Sequence, residues 1–229
     1  DALIKRLLQD CSSLKLADLK TQDIQSLYDG WTENGTKKQA MGHSLITMLR
    51  GLVNFGMAGL ADDQCERLAM VLHNMHFPMV KSRSERLTVE QAKSICREAN
   101  KMGRASIALA QAFQFDCMLR QKDVIGEWVP HSEPVDSDVM DAKNNNNKWL
   151  RGIRWEEIDH DLILTHTTSK GQKEIVVDLK PAKMVIQQLM LAYGAVARSK
   201  MPPSGPVIVS ETSRLPWYAV EFRRNWRVA

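Results

Sequence analysis

The chain has 229 residues, of which 44% are hydrophobic and 25% charged, enough for one large domain or two modest ones with real cores. No apolar run approaches the ~20 residues that cross a membrane, and no signal-peptide pattern is present, so we expect a cytoplasmic protein with no membrane partner. The net charge of +4 permits nucleic-acid binding without requiring it, because affinity for DNA depends on where the positive side chains lie.

The four cysteines show no metal-binding or redox spacing. There is no C-x-x-C motif and no histidine cluster beside Cys11, Cys65, Cys96 or Cys117. Cys96 and Cys117 lie on apolar helical faces, which predicts buried free thiols in a reducing cytosol. We therefore expect no metal site and no cofactor.

The first eighty residues are predicted to form a bundle of about four short helices. Apolar spacing predicts a helix from Thr21 or Asp23 through Trp31, and a longer one from Thr36 to about Ala58. A third helix follows Asp62 or Asp63. Residues 1–80 are thus predicted to be one helical domain.

A proline and a basic, polar stretch interrupt this pattern in HFPMVKSRSERL, so residues 81–87 are predicted to be a linker. Thr88 and Gln91 then fit a capping box. This box opens a second domain, residues 88–229, with helices to about Met102 and over 105–119.

The second domain changes character after Trp128. Two prolines and four consecutive asparagines before Leu150 predict a mobile loop, which we interpret as an insertion with disorder near the asparagines. IRWEEI, LILTHT and KEIVVDL are predicted strands, the last two joined by a turn at Ser169–Lys170–Gly171. Pro181 suits a helix to about Arg198. PVIVS is predicted to be a short buried strand, and WYAVEFRRNWRVA a helix with a basic face.

Two positive side chains are candidates for chemistry. Arg120 ends an apolar helix and precedes Asp123 by three residues, a pair that is usually just a solvated ion pair. Its position favours a fixed guanidinium that could bind two phosphate oxygens. Lys170 sits in a hairpin turn, where lysines most often serve solubility, although it could also donate a proton to a departing sugar oxygen.

The order of these motifs resembles a known family. Taken together, five successive segments resemble the catalytic domain of tyrosine recombinases, the phage integrases. They are an apolar helix, Met118-Leu119-Arg120-Gln121-Lys122-Asp123, RGIRWEEID, TSKGQKEIVVDL and GPVIVSETSRLPWYAVEFRRNWRVA. The preceding bundle resembles their core-binding domain. The resemblance implies a mainly α fold with a small antiparallel β-sheet, in which a SAM-like helical bundle precedes an α+β catalytic domain. Met118 replaces the glycine that the family has before its Leu-Arg pair, which we interpret as a packing change.

The family's activity implies specific roles for these residues. It would be site-specific DNA recombination or integration through a 3′-phosphotyrosine, without metal or ATP. Arg120 would hold a phosphate oxygen, Lys170 would be the general acid, and Asp123 would orient Arg120. The second arginine, the histidine-type residues and the tyrosine nucleophile have no place before Ala229, so we expect a chain truncated within its catalytic domain and inactive alone.

The implied partner is double-stranded DNA at attachment-type sites, with a tetramer assembling in the complete enzyme. Residues 198–229 contain six Lys or Arg and two Asp or Glu, whereas residues 1–86 contain eleven Lys or Arg and ten Asp or Glu. The C-terminal segment is therefore the more basic of the two. Two alternatives remain open, a non-catalytic DNA-binding or regulatory fragment of the same fold and a helical interaction module without a DNA role. The predicted DNA contacts are Lys37, Lys38, Arg50, Lys81, Arg83, Arg86, Arg223 and Arg224.

Overall fold

The computed structural model describes residues 2–78 and 84–229. The chain divides into two compact units, Asp1–Glu85 and Arg86–Ala229. The described part of the first unit is α-helical, and the second unit combines helices with small antiparallel sheets, which confirms the predicted fold class. Within the described residues, no helix is both long enough and apolar enough to span a lipid bilayer.

The described residues of the first unit form four helices, as the apolar spacing predicts. The second and third lie against each other around a core that includes Tyr28, Leu45 and Ile46, each at most 1% exposed. Gly42 allows this close approach, because a Cβ there would lie 2.3 Å from a side-chain carbon of Thr32. The helices are α1 (Ala2–Cys11), α2 (Thr21–Thr32), α3 (Gln39–Leu60) and α4 (Asp63–Asn74).

The second unit is organised around one fully buried helix. This helix, α6, packs between its neighbours, and its residues 106–113 are all buried. Such a helix has no polar face, which is why the sequence reads as a nearly continuous apolar run. The five helices are α5 (Val89–Lys101), α6 (Ala105–Asp116), α7 (Gln121–Ile125), α8 (Lys183–Tyr193) and α9 (Ala219–Trp226).

Side-chain caps fix where two of these helices begin. The Thr88 hydroxyl accepts a hydrogen bond from the Gln91 N–H at 3.2 Å, and the Thr88 N–H donates one to Oε1 of Gln91 at 2.9 Å, which is the predicted capping box. Asp116, at the end of α6, accepts from the Met184 N–H at 2.7 Å at the start of α8. A carboxylate distant in sequence therefore caps α8, where the sequence offers only Pro181.

Two antiparallel sheets complete the second unit. In the first sheet, β3 lies between β1 and β2, with Glu127 opposite Leu150. The second is a hairpin in which Ile163 pairs with Asp178 and Thr167 with Glu174. The strands are β1 (Glu127–Val129), β2 (Met140–Asp141), β3 (Asn147–Leu150), β4 (Ile163–Thr167) and β5 (Glu174–Asp178).

Several sequence expectations are wrong in this unit. The stretch before Leu150 is a folded three-stranded sheet, with the asparagines forming its turn, instead of a mobile loop. IRWEEI contains a 3-10 turn at Trp155–Glu157, because the Glu157 carboxylate bonds the Arg154 N–H at 2.8 Å and closes a local turn. PVIVS, expected to be a strand, forms only isolated β-bridges. The helix expected to reach about Arg198 is α8, which ends at Tyr193 because Gly194 adopts a left-handed backbone conformation.

Candidate active site and nucleic-acid interface

The candidate site begins where α6 ends. Residues 117–119 leave the buried helix, and Arg120 then adopts an extended backbone conformation as the N-cap of α7. The residue before Arg120, Leu119, is buried in the core of the second unit and fixes the position of this segment. The Arg120 side chain remains 58% exposed, so its guanidinium is available to an anion.

Asp123 occupies the centre of the site. Its side chain is 1% exposed, and its Oδ2 lies 3.8 Å from Nη1 of Arg120. Its Oδ1 accepts a hydrogen bond of 2.7 Å from the backbone N–H of Ser169, and its carbonyl accepts one of 2.9 Å from the Ile153 N–H. One buried carboxylate therefore contacts both the arginine and the turn of the β4–β5 hairpin.

That turn carries Lys170, directly after Ser169. The turn is closed by the Thr168 side chain, whose hydroxyl donates to the Lys173 carbonyl at 3.1 Å, while the Thr168 N–H donates to the same carbonyl at 2.9 Å. Lys170 is exposed, as predicted for a hairpin turn. Arg120, Asp123 and the Lys170 turn, up to fifty residues apart in sequence, are thus brought to one place.

The hairpin has a second support that the sequence did not indicate. His166, in β4, is 2% exposed, and its Nδ1 lies 3.0 Å from a carboxylate oxygen of Glu157. This contact ties β4 to the 3-10 turn that precedes it. No short motif predicts such a pairing, because it depends on the strand register.

Met118 corrects one interpretation made from the sequence. It is 89% exposed and has φ of 53°, in the left-handed region that favours glycine. The glycine expected here would therefore serve backbone conformation, and the substitution is not a packing change. The chain accepts the strain of a side chain at this turn.

The predicted DNA contacts in the first unit differ in how available they are. Lys37 and Lys38 are exposed, pair with Glu33 at 2.8 and 3.9 Å, and lie just before α3 instead of within it. Arg50 is part-buried, and its Nη2 donates to the carbonyls of Leu72 and Met75 at 2.8 and 3.0 Å. These bonds satisfy the carboxyl end of α4, which gives Arg50 a structural role.

The remaining predicted contacts lie in the connecting segment and in α9. Lys81 and Arg83 are outside the described residues, whereas Arg86 is exposed. Arg223 and Arg224 are exposed on α9, and Arg223 donates from Nε to the Ala219 carbonyl at 2.9 Å. Among the described residues, no three metal-ligating side chains converge on a point that could hold a cation.

The comparisons with known proteins bear on the fold. No protein-family model matches the sequence, and no curated protein matches it. Among solved structures, the chain is similar to lambda integrase in a crystal structure of an integrase dimer bound to a COC′ core site, with a TM-score of 0.62 at 16% sequence identity. The similarity covers 99% of this chain and 54% of the integrase chain, so the chain spans about half the length of the protein that it resembles. The fold is that of a tyrosine recombinase, as the order of the motifs predicts.

Proposed function

We propose that the chain belongs to an enzyme of site-specific DNA recombination, which cleaves and rejoins strands through a 3′-phosphotyrosine. The observation that carries the proposal is the buried Asp123, which contacts the exposed Arg120 at 3.8 Å and the turn of Lys170 at 2.7 Å through Ser169. Two exposed cations held around one buried carboxylate suit a phosphodiester. The likeness to a DNA-bound integrase supports the same reading.

Each residue has a distinct part in the proposed reaction. Arg120 binds a non-bridging oxygen of the scissile phosphate and stabilises the charge that develops in the transition state. As the tyrosine oxygen attacks phosphorus and the bond to the 5′-oxygen breaks, Lys170 donates a proton to that oxygen. Asp123 fixes the guanidinium and the hairpin turn. The reaction needs neither metal nor ATP, because the phosphotyrosine bond conserves the energy of the broken ester.

None of the three tyrosines in the sequence suits the nucleophile. Burial raises the pKa of Tyr28, Tyr193 and Tyr218, and nearby Asp29 and Asp141 add to the effect at the first and last. The Tyr218 hydroxyl is also occupied by Asp141 and Asn144, both at 2.8 Å. A raised pKa disfavours the phenolate, so the proposal assigns the nucleophile to none of these three tyrosines.

The proposed partner is double-stranded DNA at attachment-type sites, bound by both units and followed by assembly of a tetramer. The proposed phosphate contacts are exposed, although two of them also pair with Glu33: Lys37, Lys38, Arg86, Arg223 and Arg224. Arg50 stays a weaker proposal because it caps α4. Lys81 and Arg83 stay proposals made from the sequence alone.

The first experiment measures DNA binding by the 229-residue chain. Fluorescence anisotropy with a labelled duplex, repeated over a range of salt concentrations, should give an affinity that falls steeply as salt rises, because each phosphate contact releases a counterion. Weak association that does not change with salt would contradict DNA binding and favour a protein-interaction module.

The second experiment tests the general acid in the full product of the gene. Lys170→Ala should slow formation of the covalent adduct by roughly 10²–10⁴-fold on an ordinary duplex. A 5′-bridging sulfur should restore the rate, since a thiolate, with a thiol pKa of about 8.5, leaves without protonation. Lys173→Ala is the matched control on the same hairpin and should change neither rate.

Arg120→Ala gives the opposite pattern on the same two substrates. It should lose about 10²–10³-fold with either leaving group, because charge on the non-bridging oxygens develops in both reactions. If the 5′-bridging sulfur restored the rate of Arg120→Ala, the role assigned to Arg120 would be contradicted. If it failed to restore the rate of Lys170→Ala, the role assigned to Lys170 would be contradicted.

A further inference from the structure

The sheet of β1, β2 and β3 is a closed excursion of the chain, which we call the insertion, residues 127–152. Its two ends meet, since Glu127 pairs with Leu150 and a Cβ on Gly152 would lie 2.5 Å from the Gly126 nitrogen. Deleting the insertion would therefore leave α7 and Ile153 close enough to be joined directly. Such a segment is free to serve a purpose beyond the fold.

The base of the insertion is anchored to α7, the helix of Asp123. Glu127 forms ion pairs with Lys122 of α7, at 2.6 Å, and with Arg151. Trp149 is 2% exposed and donates from Nε1 to the Ile125 carbonyl at 2.8 Å. A Cβ on Gly126 would lie 2.2 Å from this indole nitrogen, so glycine is required where Trp149 enters.

The other side of the insertion reaches the start of α9. Tyr218, the N-cap of α9, donates to Asp141 and accepts from Asn144, and its ring stacks on Trp128 with centroids 5.2 Å apart. Trp128 also donates to the Pro216 carbonyl at 3.1 Å. The asparagine turn is therefore bonded to the residue from which α9 begins.

The charge of the insertion argues against a direct contact with DNA. It contains five Asp or Glu against three Lys or Arg. On α9, Arg223 and Arg224 are exposed, and no carboxylate of the described residues pairs with either of them. A negatively charged segment that holds a positively charged helix suits an indirect role.

An eight-residue helix needs such support. Helices this short are marginal unless tertiary contacts hold them. On one side, Trp226 donates to Gln111 of α6 at 2.7 Å and Phe222 is buried. On the other side, the insertion holds Tyr218. The two anchors together set the direction of α9.

We propose that the insertion is a brace between α7 and α9, and that Tyr218 is the positioning residue through which it holds Arg223 and Arg224 against the phosphates of bound duplex DNA. This inference rests on the proposed function, because it concerns the same DNA. It assigns a role to the asparagine turn and to a tyrosine that the proposed chemistry leaves unused.

The test is a double-mutant cycle on the 229-residue chain with a fluorescein-labelled duplex. Tyr218→Phe keeps the ring stacking and removes the hydroxyl, so it should lower DNA affinity about 3- to 10-fold, the equivalent of one hydrogen bond. In the Arg223→Ala, Arg224→Ala background, the same change should have less than about a twofold effect, because the arginines that it positions are absent.

Matched variants separate positioning from a loss of folding. Tyr193→Phe, in the same unit, should leave affinity unchanged. Asn144→Ala should show the same dependence on the arginines as Tyr218→Phe, and Asn146→Gly, which suits the left-handed φ of 51° at that position, should show none. Both Asn144→Ala and Asn146→Gly change exposed side chains, so they should leave the fold intact even if Tyr218→Phe does not.

Two results would overturn the inference. An equal loss of affinity with and without the two arginines would show that Tyr218 acts only through general stability. If Tyr218→Phe left the DNA affinity of a folded protein unchanged, the contacts of the insertion with Tyr218 would not affect DNA binding. Either result, obtained while the unmutated chain binds DNA with steep salt dependence, would leave the proposed function standing.

Discussion

A single buried side chain, Asp123, determines how the candidate site is held together. Asp123→Ala should lower the free energy of unfolding by about 1–3 kcal/mol, because it leaves the Ser169 N–H without its acceptor. Asp123→Asn keeps an amide oxygen for that N–H and should cost less. Urea unfolding of both variants measures the difference, and equal losses would show that the bond to the hairpin turn contributes little.

Met118 provides a second test at the residue scale. Met118→Gly should raise the free energy of unfolding by about 0.5–1 kcal/mol, since a left-handed conformation costs roughly 1–2 kcal/mol for a residue with a side chain, and the greater freedom of glycine when unfolded offsets part of the gain. Met102, at φ of −79°, is the matched control. Met102→Gly should destabilise, and a gain at both positions would refute the role of backbone strain.

The residues of the site were only partly predictable. Arg120, Asp123 and Lys170 could be selected as candidates only because the order of their motifs resembles a known family, since each local pattern alone is weak evidence. The connection between them could not, because it runs through the backbone N–H of Ser169, a group that every residue except proline has. The same holds for His166 and Glu157, whose contact depends on where β4 lies.

At the scale of elements, the insertion shows what local patterns miss. The consecutive asparagines predicted disorder, but they form an ordered turn in which Asn145 and Asn146 have φ of 53° and 51°, a region that asparagine tolerates. Their order depends on Tyr218, 74 residues from Asn144, which no local signal reveals. The 3-10 turn at Trp155–Glu157 was mistaken for a strand for a similar reason, because a capping carboxylate overrides the alternating pattern.

The insertion also predicts a dependence of stability on pH. A hydrogen bond from Arg154 is the main cause that lowers the pKa of Asp138, with contacts of 2.9 and 2.7 Å. A carboxyl group with a lowered folded pKa stabilises the protein above its unfolded value of about 3.9, and this contribution is lost as pH falls through the folded pKa.

Arg154→Met should therefore lower the free energy of unfolding by about 0.5–1 kcal/mol at neutral pH, a modest value because the Asp138 side chain is 66% exposed. The difference should shrink as pH falls below the unfolded value of about 3.9 and Asp138 becomes protonated. Urea unfolding at both pH values measures it. Lys180→Met removes only a 4.0 Å contact with the exposed Asp161 and serves as the control, and a difference that persists in acid would contradict the assignment.

At the scale of the whole molecule, the hydrophobic side chains form two separate cores. One includes Leu45 and Trp31 of the first unit, and the other includes Ile107 and Trp155 of the second. Helical periodicity predicted the first core only in part, because Leu52 and Phe55 follow the apolar spacing of α3 but are exposed. The second core includes a helix buried on all sides, whose partners cannot be read from periodicity.

Because the two units have separate cores, the free energy of unfolding of each unit should be open to change by mutation without changing that of the other. Leu45→Ala should cost the first unit about 2–5 kcal/mol, and Ile107→Ala should cost the second a similar amount, because both side chains are fully buried. Hydrogen exchange measured peptide by peptide in the whole chain should show lost protection only in the unit that carries the substitution. Leu52→Ala, on the same helix as Leu45 but 57% exposed, should change protection little. Lost protection in both units after Leu45→Ala would instead mean that the chain unfolds as one cooperative body.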